Sequence, residues 1–221
     1  MKFIILAVIF AMSISNAYSD FFTVGGTPDY SYNDIPFYYG MYKMVYNILP
    51  DQSHFIEDIH LPSKCYSDKI HMVASASWSV DIPNGVTIGY VYGYYTDSSY
   101  DLMSLIMGYN IAEWSYERPE NLPYNQHTMP PSAWSEWTNE ASAYWYKSNA
   151  FYSMLDTNPT KELVYLQLRL NEGYAADRLL GIHLASVTIE GEPIPEPSTI
   201  LLLATGITGI ASCGFIRRRR L

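Results

Sequence analysis

The stretch HMVASASWSVDI, residues 71–82, alternates between apolar and small polar side chains. Met72, Ala74, Ala76, Trp78, Val80 and Ile82 fall on one side of an extended chain. His71, Ser75, Ser77, Ser79 and Asp81 fall on the other, interrupted only by Val73. Period-two alternation over this length is the pattern of a half-buried antiparallel strand, because successive side chains of a strand point to opposite faces. Pro83-Asn84-Gly85 follows, and an Asn-Gly pair accepts positive φ in a tight turn. VTIGYVYGYY then returns with Val86, Ile88, Tyr90, Tyr92 and Tyr94 on one face. The expectation is a hairpin over residues 71–95 with Trp78 packed inside.

The rest of the chain repeats this texture. ELVYLQLRL places Val164, Leu166, Leu168 and Leu170 opposite Tyr165, Gln167 and Arg169. GIHLASVTIEG predicts a last strand ending near Gly191, and ASAYWYKSNAFYSML reads as extended. YDLMSLIMGYNIAEW fits both a helix and a strand, and its neighbours favour a strand. Residues 117–139, with Pro119, Pro123, Pro130 and Pro131, read as a long loop. Residues 20–53 read as loops with one or two short strands. Seven or eight short strands punctuated by Gly, Pro and Asn predict a mainly β domain, an antiparallel β-sandwich of jelly-roll-like form.

Residues 20–196 carry eight basic and all 22 acidic residues, a net charge of −14. Such a surface repels nucleic acid and anionic polymers and is compatible with neutral sugars. Cys65 reads as a buried small residue. Cys213 lies in an apolar run and cannot easily reach it, so no intrachain disulfide is expected. Twenty of the 21 tyrosines follow residue 19, which suits both strand packing and recognition.

Both ends point away from the cytoplasm. Lys2 precedes a ten-residue apolar stretch, and Ser15 and Ala17 are small residues suited to a cleavage site. Cleavage after Ala17 and cleavage after Ser19 are both open; residues 1–19 are taken as the signal peptide. At the other end, residues 197–216 lack any charge and are long enough to span a bilayer as a helix. Arg217, Arg218, Arg219 and Arg220 follow, which keeps that end on the cytoplasmic side. Pro195-Glu196-Pro197, then Ser198-Thr199, a hydrophobic helix and an Arg cluster resemble the PEP-CTERM sorting signal. That resemblance implies export, transient anchoring in the inner membrane with a periplasmic ectodomain, and recognition by an exosortase, a membrane-embedded transpeptidase-like enzyme. It also implies a host of the kind that makes extracellular polysaccharide. The domains are then a signal peptide (1–19), an ectodomain (20–194) and a sorting signal (195–221) with a transmembrane helix at 198–216.

Catalytic signatures are sparse. The five histidines, His54, His60, His71, His127 and His183, have no metal-ligand spacing, and no nucleophile elbow, P-loop or dinucleotide fingerprint occurs. Glu113 and Glu117 flank Trp114 and Tyr116, the company a glycosidase keeps, but they read as solvated surface acids. Asp97 and Asp101 could offer oxygens to calcium, although their spacing matches no EF-hand loop. No catalytic residue, metal or cofactor is assigned. Trp114, Tyr124, Trp134 and Trp137, in or beside the proline-rich loop, are the candidate contact surface for a neutral extracellular polysaccharide, since flat rings stack on sugar C–H faces. The expected role is structural or adhesive, at the cell surface or in the extracellular matrix. A carbohydrate-binding module or a secreted carbohydrate-active enzyme is the alternative.

Overall fold

The computed structural model describes residues 21–194 apart from 39, 42, 50, 51 and 141. The signal peptide, the transmembrane helix 198–216 and the Arg tail expected from the sequence lie outside the described residues. Among those described, no helix is long and apolar enough to cross a membrane. The described residues form twelve strands: β1 (Phe21–Val24), β2 (Tyr30–Tyr32), β3 (Ile35–Phe37), β4 (Lys43–Leu49), β5 (Gln52–His54), β6 (Ile56–Ser77), β7 (Thr87–Tyr95), β8 (Tyr100–Ile106), β9 (Ser132–Thr138), β10 (Tyr146–Asp156), β11 (Glu162–Leu170) and β12 (Leu180–Pro193). One helical turn among the described residues, α1 (Glu172–Ala175), follows β11.

The mainly β, antiparallel expectation holds. Ten strands join one sheet in the order β5-β4-β12-β6-β11-β7-β8, with β1 on β12, β10 on β6 and β9 on β10; β2 and β3 form a separate ribbon. No barrel closure or jelly-roll pairing occurs among the described residues.

The 22-residue β6 organises the sheet. Its first part pairs with β11 and its second with β10, while β12 runs along most of its other edge. The inward residues of the first part are odd-numbered, Ile59 and Cys65; those of the second are even-numbered, Ile70, Met72, Ala74 and Ala76. The change falls at Asp68, which has no partner on β12 between the pairs Ser67↔Gly191 and Lys69↔Glu190. An extra residue at a bulge shifts the alternation by one, keeps the same face inward and bends the strand. The sheet thereby folds over on itself. A Cβ placed on Gly93 of β7 would lie 3.2 Å from Leu163, 3.5 Å from Leu155 and 3.6 Å from Ile70, so β7 faces β6 and β10 across the main core.

The hairpin over residues 71–95 does not form. Asn84 and Gly85 do turn, with Gly85 at φ +85°, but β7 pairs with β8 and β11 and not with β6. The second part of β6 already holds β12 on one edge and β10 on the other, so no edge is free for β7. The polar face of the alternation is also buried. A second, smaller core covers it, in which Ile35 and Phe37 of the ribbon pack on Val73 and Ala150. The Phe21 ring lies against His71, with centroids 5.9 Å apart, and Thr188 donates through its hydroxyl to the Pro36 carbonyl. Val73, the one break in the polar face, is the residue that this second core requires.

Trp78 is not in the core. The strand ends at Ser77, Trp78 takes φ +56°, and its side chain is 43% exposed. The proline-rich loop is shorter than expected, because residues 132–138 form β9. Cys65 is buried as expected, and burial pushes its thiol up to about 12. The tyrosines on the outer face of β7, β8 and β11 serve packing. Tyr94 stacks on Tyr165 at 4.7 Å and on Tyr92 at 5.8 Å, and the Arg169 guanidinium lies 4.6 Å above the Tyr92 ring.

Candidate functional site

The β2–β3 ribbon covers only part of the outer face of β6, β10 and β12. Beyond it an open groove of about 740 Å³ remains. Its floor is made of short side chains on three adjacent strands: Ser75 and Ser77 on β6, Asn149 and Ala150 on β10, and Ala185 beside His183 on β12. Smallness is what leaves the depression, since a β-sheet floor of larger residues would fill it. Trp78, Trp114, Trp134 and Trp137 stand around this floor.

Each wall is held by local structure. The β10 pairing of β6 stops at Ala74, and a one-residue parallel bridge between Ala76 and Glu113 continues it. The Ala76 N–H donates to the Ala112 carbonyl at 2.8 Å, and the Trp114 N–H donates to the Ala76 carbonyl at 2.8 Å. The Trp114 carbonyl accepts from the Asn149 N–H at 2.8 Å, and its ring tilts against Tyr146 at 6.1 Å. Trp134 packs against the edge of the second core. Trp137 is 61% exposed and carries the Lys147 ammonium 5.7 Å from its ring centroid.

The polar groups of the groove mostly satisfy one another. Ser77 and His183 Nε2 share a hydrogen bond, and burial pushes the His183 imidazole down, favouring its neutral form. Glu113 is 2% exposed, which corrects its reading as a solvated surface acid. Its Oε2 accepts from the Ser79 N–H at 2.8 Å and the Ser79 hydroxyl at 2.9 Å; its Oε1 accepts from the Ser115 hydroxyl at 2.8 Å. Burial nevertheless pushes its carboxyl above the usual range, against the pull of these bonds. Glu117 does not line the groove.

The sequence candidates therefore divide. Trp114, Trp134 and Trp137 come together, two of them on β9 and not on a loop. Tyr124 is 68% exposed and stands apart from the groove lining. Trp78, Glu113, Ser75, Ser77 and His183 were missed. Only the run of small residues at 74–77 could have pointed to a floor. Asp97 is bound by the Ser99 N–H and by Lys161, both at 2.9 Å, and Asp101 accepts from the Tyr95 hydroxyl and the Asn158 N–H. Among the described residues, no group of three or more His, Cys, Asp or Glu side chains is gathered for a metal.

Beyond β12 the chain enters a segment that comparison with protein families identifies. Residues 193–220 match the PEP-CTERM protein-sorting motif. The motif implies an exosortase-type sorting system as partner and an export context, in keeping with the resemblance drawn from Pro195-Glu196-Pro197 and the Arg cluster. A β-rich domain followed by this motif is consistent with a substrate of such a system. No curated protein and no solved structure matches the chain.

Proposed function

We propose that this chain is an exported adhesive protein, directed to the cell surface or matrix through PEP-CTERM sorting, whose domain holds a neutral polysaccharide in the tryptophan-walled groove. In this reading residues 1–19 direct export. The helix 198–216 anchors the chain transiently in the inner membrane until an exosortase processes it. The ectodomain then serves at the surface, on a sandwich-like scaffold made by the folded sheet.

The observation that carries this reading is the convergence of Trp78, Trp114, Trp134 and Trp137 on one floor of small hydroxyl and amide side chains. Indoles stack on sugar C–H faces, while Ser75, Ser77 and Asn149 offer short polar groups to sugar hydroxyls. The net charge of −14 over residues 20–196 disfavours anionic polymers. Binding outweighs catalysis as the reading, because both oxygens of Glu113 are already engaged by Ser79 and Ser115.

Affinity electrophoresis of the full chain in mild detergent, through gels cast with hydroxyethylcellulose, dextran or soluble starch, tests it. At least one polymer should retard the protein, with Kd on the order of 0.1–1 mM per site. Trp134→Ala and Trp137→Ala should lose that retardation. Unaltered migration in all three polymers would overturn the groove reading.

A further inference from the structure

We infer that Glu113 is the positioning residue of the groove: through Ser79 it fixes Trp78 as a wall, and through the adjoining backbone it fixes Trp114. The inference rests on the groove reading above. A tryptophan at φ +56° occupies a region that non-glycine residues rarely adopt, and such a conformation persists only where its surroundings enforce it. On one side Ser77 closes β6 against Gly181 of β12. On the other, Ser79 donates both its N–H and its hydroxyl to a single carboxylate oxygen of Glu113. Trp78 is the one residue between these two fixed points. The Ile82 N–H closes the following turn on the Ser79 carbonyl at 3.0 Å, and the Glu113 bonds set where that turn begins; without them Ser79 is free to continue the strand alternation, which would turn the indole the other way.

Glu113 is itself held from every side. Ser115 and the Ser79 turn take its carboxylate, and its N–H donates to His127 Nε2 at 3.3 Å. His127 in turn donates from Nδ1 to the Ile82 carbonyl at 2.9 Å, and burial keeps its imidazole neutral, as that tautomer requires. Among the described residues, no cation bonds to Glu113, and burial pushes its carboxyl up. Stability and position are separate contributions of such a side chain, and each can be read on its own. The bonds it makes serve the geometry of Trp78 and Trp114.

That separation gives the test. Glu113→Met removes both acceptor oxygens at similar volume and strands the Ser79 donors, whereas Glu113→Gln keeps a carbonyl oxygen for Ser79 and can turn its amide to the Ser115 hydroxyl. Whichever way its melting temperature moves, full-length Glu113→Met should bind the retarding polymer about tenfold more weakly, the effect of losing one stacked ring, and Glu113→Gln should restore binding. Acrylamide quenching, read as the difference from the same protein carrying Trp78→Phe, should show Trp78 less accessible in Glu113→Met than in wild type, because the strand alternation turns the indole to the side of Ala74 and Ala76. Ser79→Ala deletes only the hydroxyl bond and should weaken binding in the same direction, with Ser79→Thr restoring it. Unchanged affinity in both Glu113→Met and Ser79→Ala overturns the inference. Should Glu113→Met fail to fold, the Ser79 pair decides. Should wild type bind none of the polymers, the groove reading fails first, and the quenching of Trp78 judges the positioning role alone.

Discussion

Gly89 of β7 lies directly beneath Ile182 of β12: a Cβ at Gly89 would sit 2.3 Å from Ile182 Cδ1 and 2.7 Å from the Arg169 carbonyl oxygen. The backbone of one half of the sheet thus touches the side chains of the other. Gly89→Ala should destabilise the protein by about 1–3 kcal/mol through overpacking, read as a lowered urea midpoint. Gly173→Ala provides the contrast. Its Cβ meets nothing closer than the Asn171 side chain at 3.6 Å, and α1 gains a better helix former, so stability should rise by about 0.4–1 kcal/mol, read as a raised midpoint.

Acid should weaken the fold through its buried histidines. His71, His127 and His183 are all pushed below the usual imidazole value by burial. For His71, burial outweighs the opposing pull of Glu190, which lies 3.1 Å from Nε2, while Tyr152 occupies Nδ1 at 2.8 Å and Lys69 adds to the depression. A depressed imidazole binds its proton more readily in the unfolded chain. The stability it contributes is therefore complete above the unfolded value of about 6.5 and is lost as pH falls through the lower folded value. The melting temperature should hold from pH 8 to about 6.5 and then fall. His127→Gln, which retains a donor and an acceptor, should make that fall shallower; an identical slope would remove His127 from the account.

Trp78→Ala should cost the fold about 1 kcal/mol or less, because the ring is largely outside both cores. The same substitution should weaken polysaccharide binding. A loss of 3–5 kcal/mol, the value for a core tryptophan, would return Trp78 to the interior.

In a host with an exosortase, the surface form should lack residues 214–221, as read by intact mass. Replacing Arg217, Arg218, Arg219 and Arg220 with Ala should disturb orientation, as read by protease protection, since the positive-inside signal is gone.

Much of the strand content was legible because period-two patterns in residues 162–170 and 180–191 are local. Partner choice was not. The segment at 71–82 carries every mark of a hairpin arm, yet its edges are taken by β10 and β12, whose sequences lie about 80 to 110 residues further on. Likewise, Ser75 and Ser77 look like solvent-facing residues because a polar floor under a groove has the same composition as a polar surface. Val73 was the visible anomaly, and it marks the second core. The site was half legible: tryptophans advertise themselves, but Glu113 could not be told from a surface acid until the Ser79 and Ser115 donors were seen closing on it.

The central place of β12 bears on how the chain comes to be folded at all. The middle of the sheet pairs residues 65–77 with residues 181–193, so its most buried ladder joins segments more than a hundred residues apart. Contacts of that separation form slowly. During synthesis, β6 has no β12 to pair with until nearly the whole domain has emerged, and the sorting motif begins at residue 193, where β12 ends. On the export reading proposed above, a chain built in this order stays extensible while it is threaded through a membrane, and it acquires its closed form only as its own address label arrives.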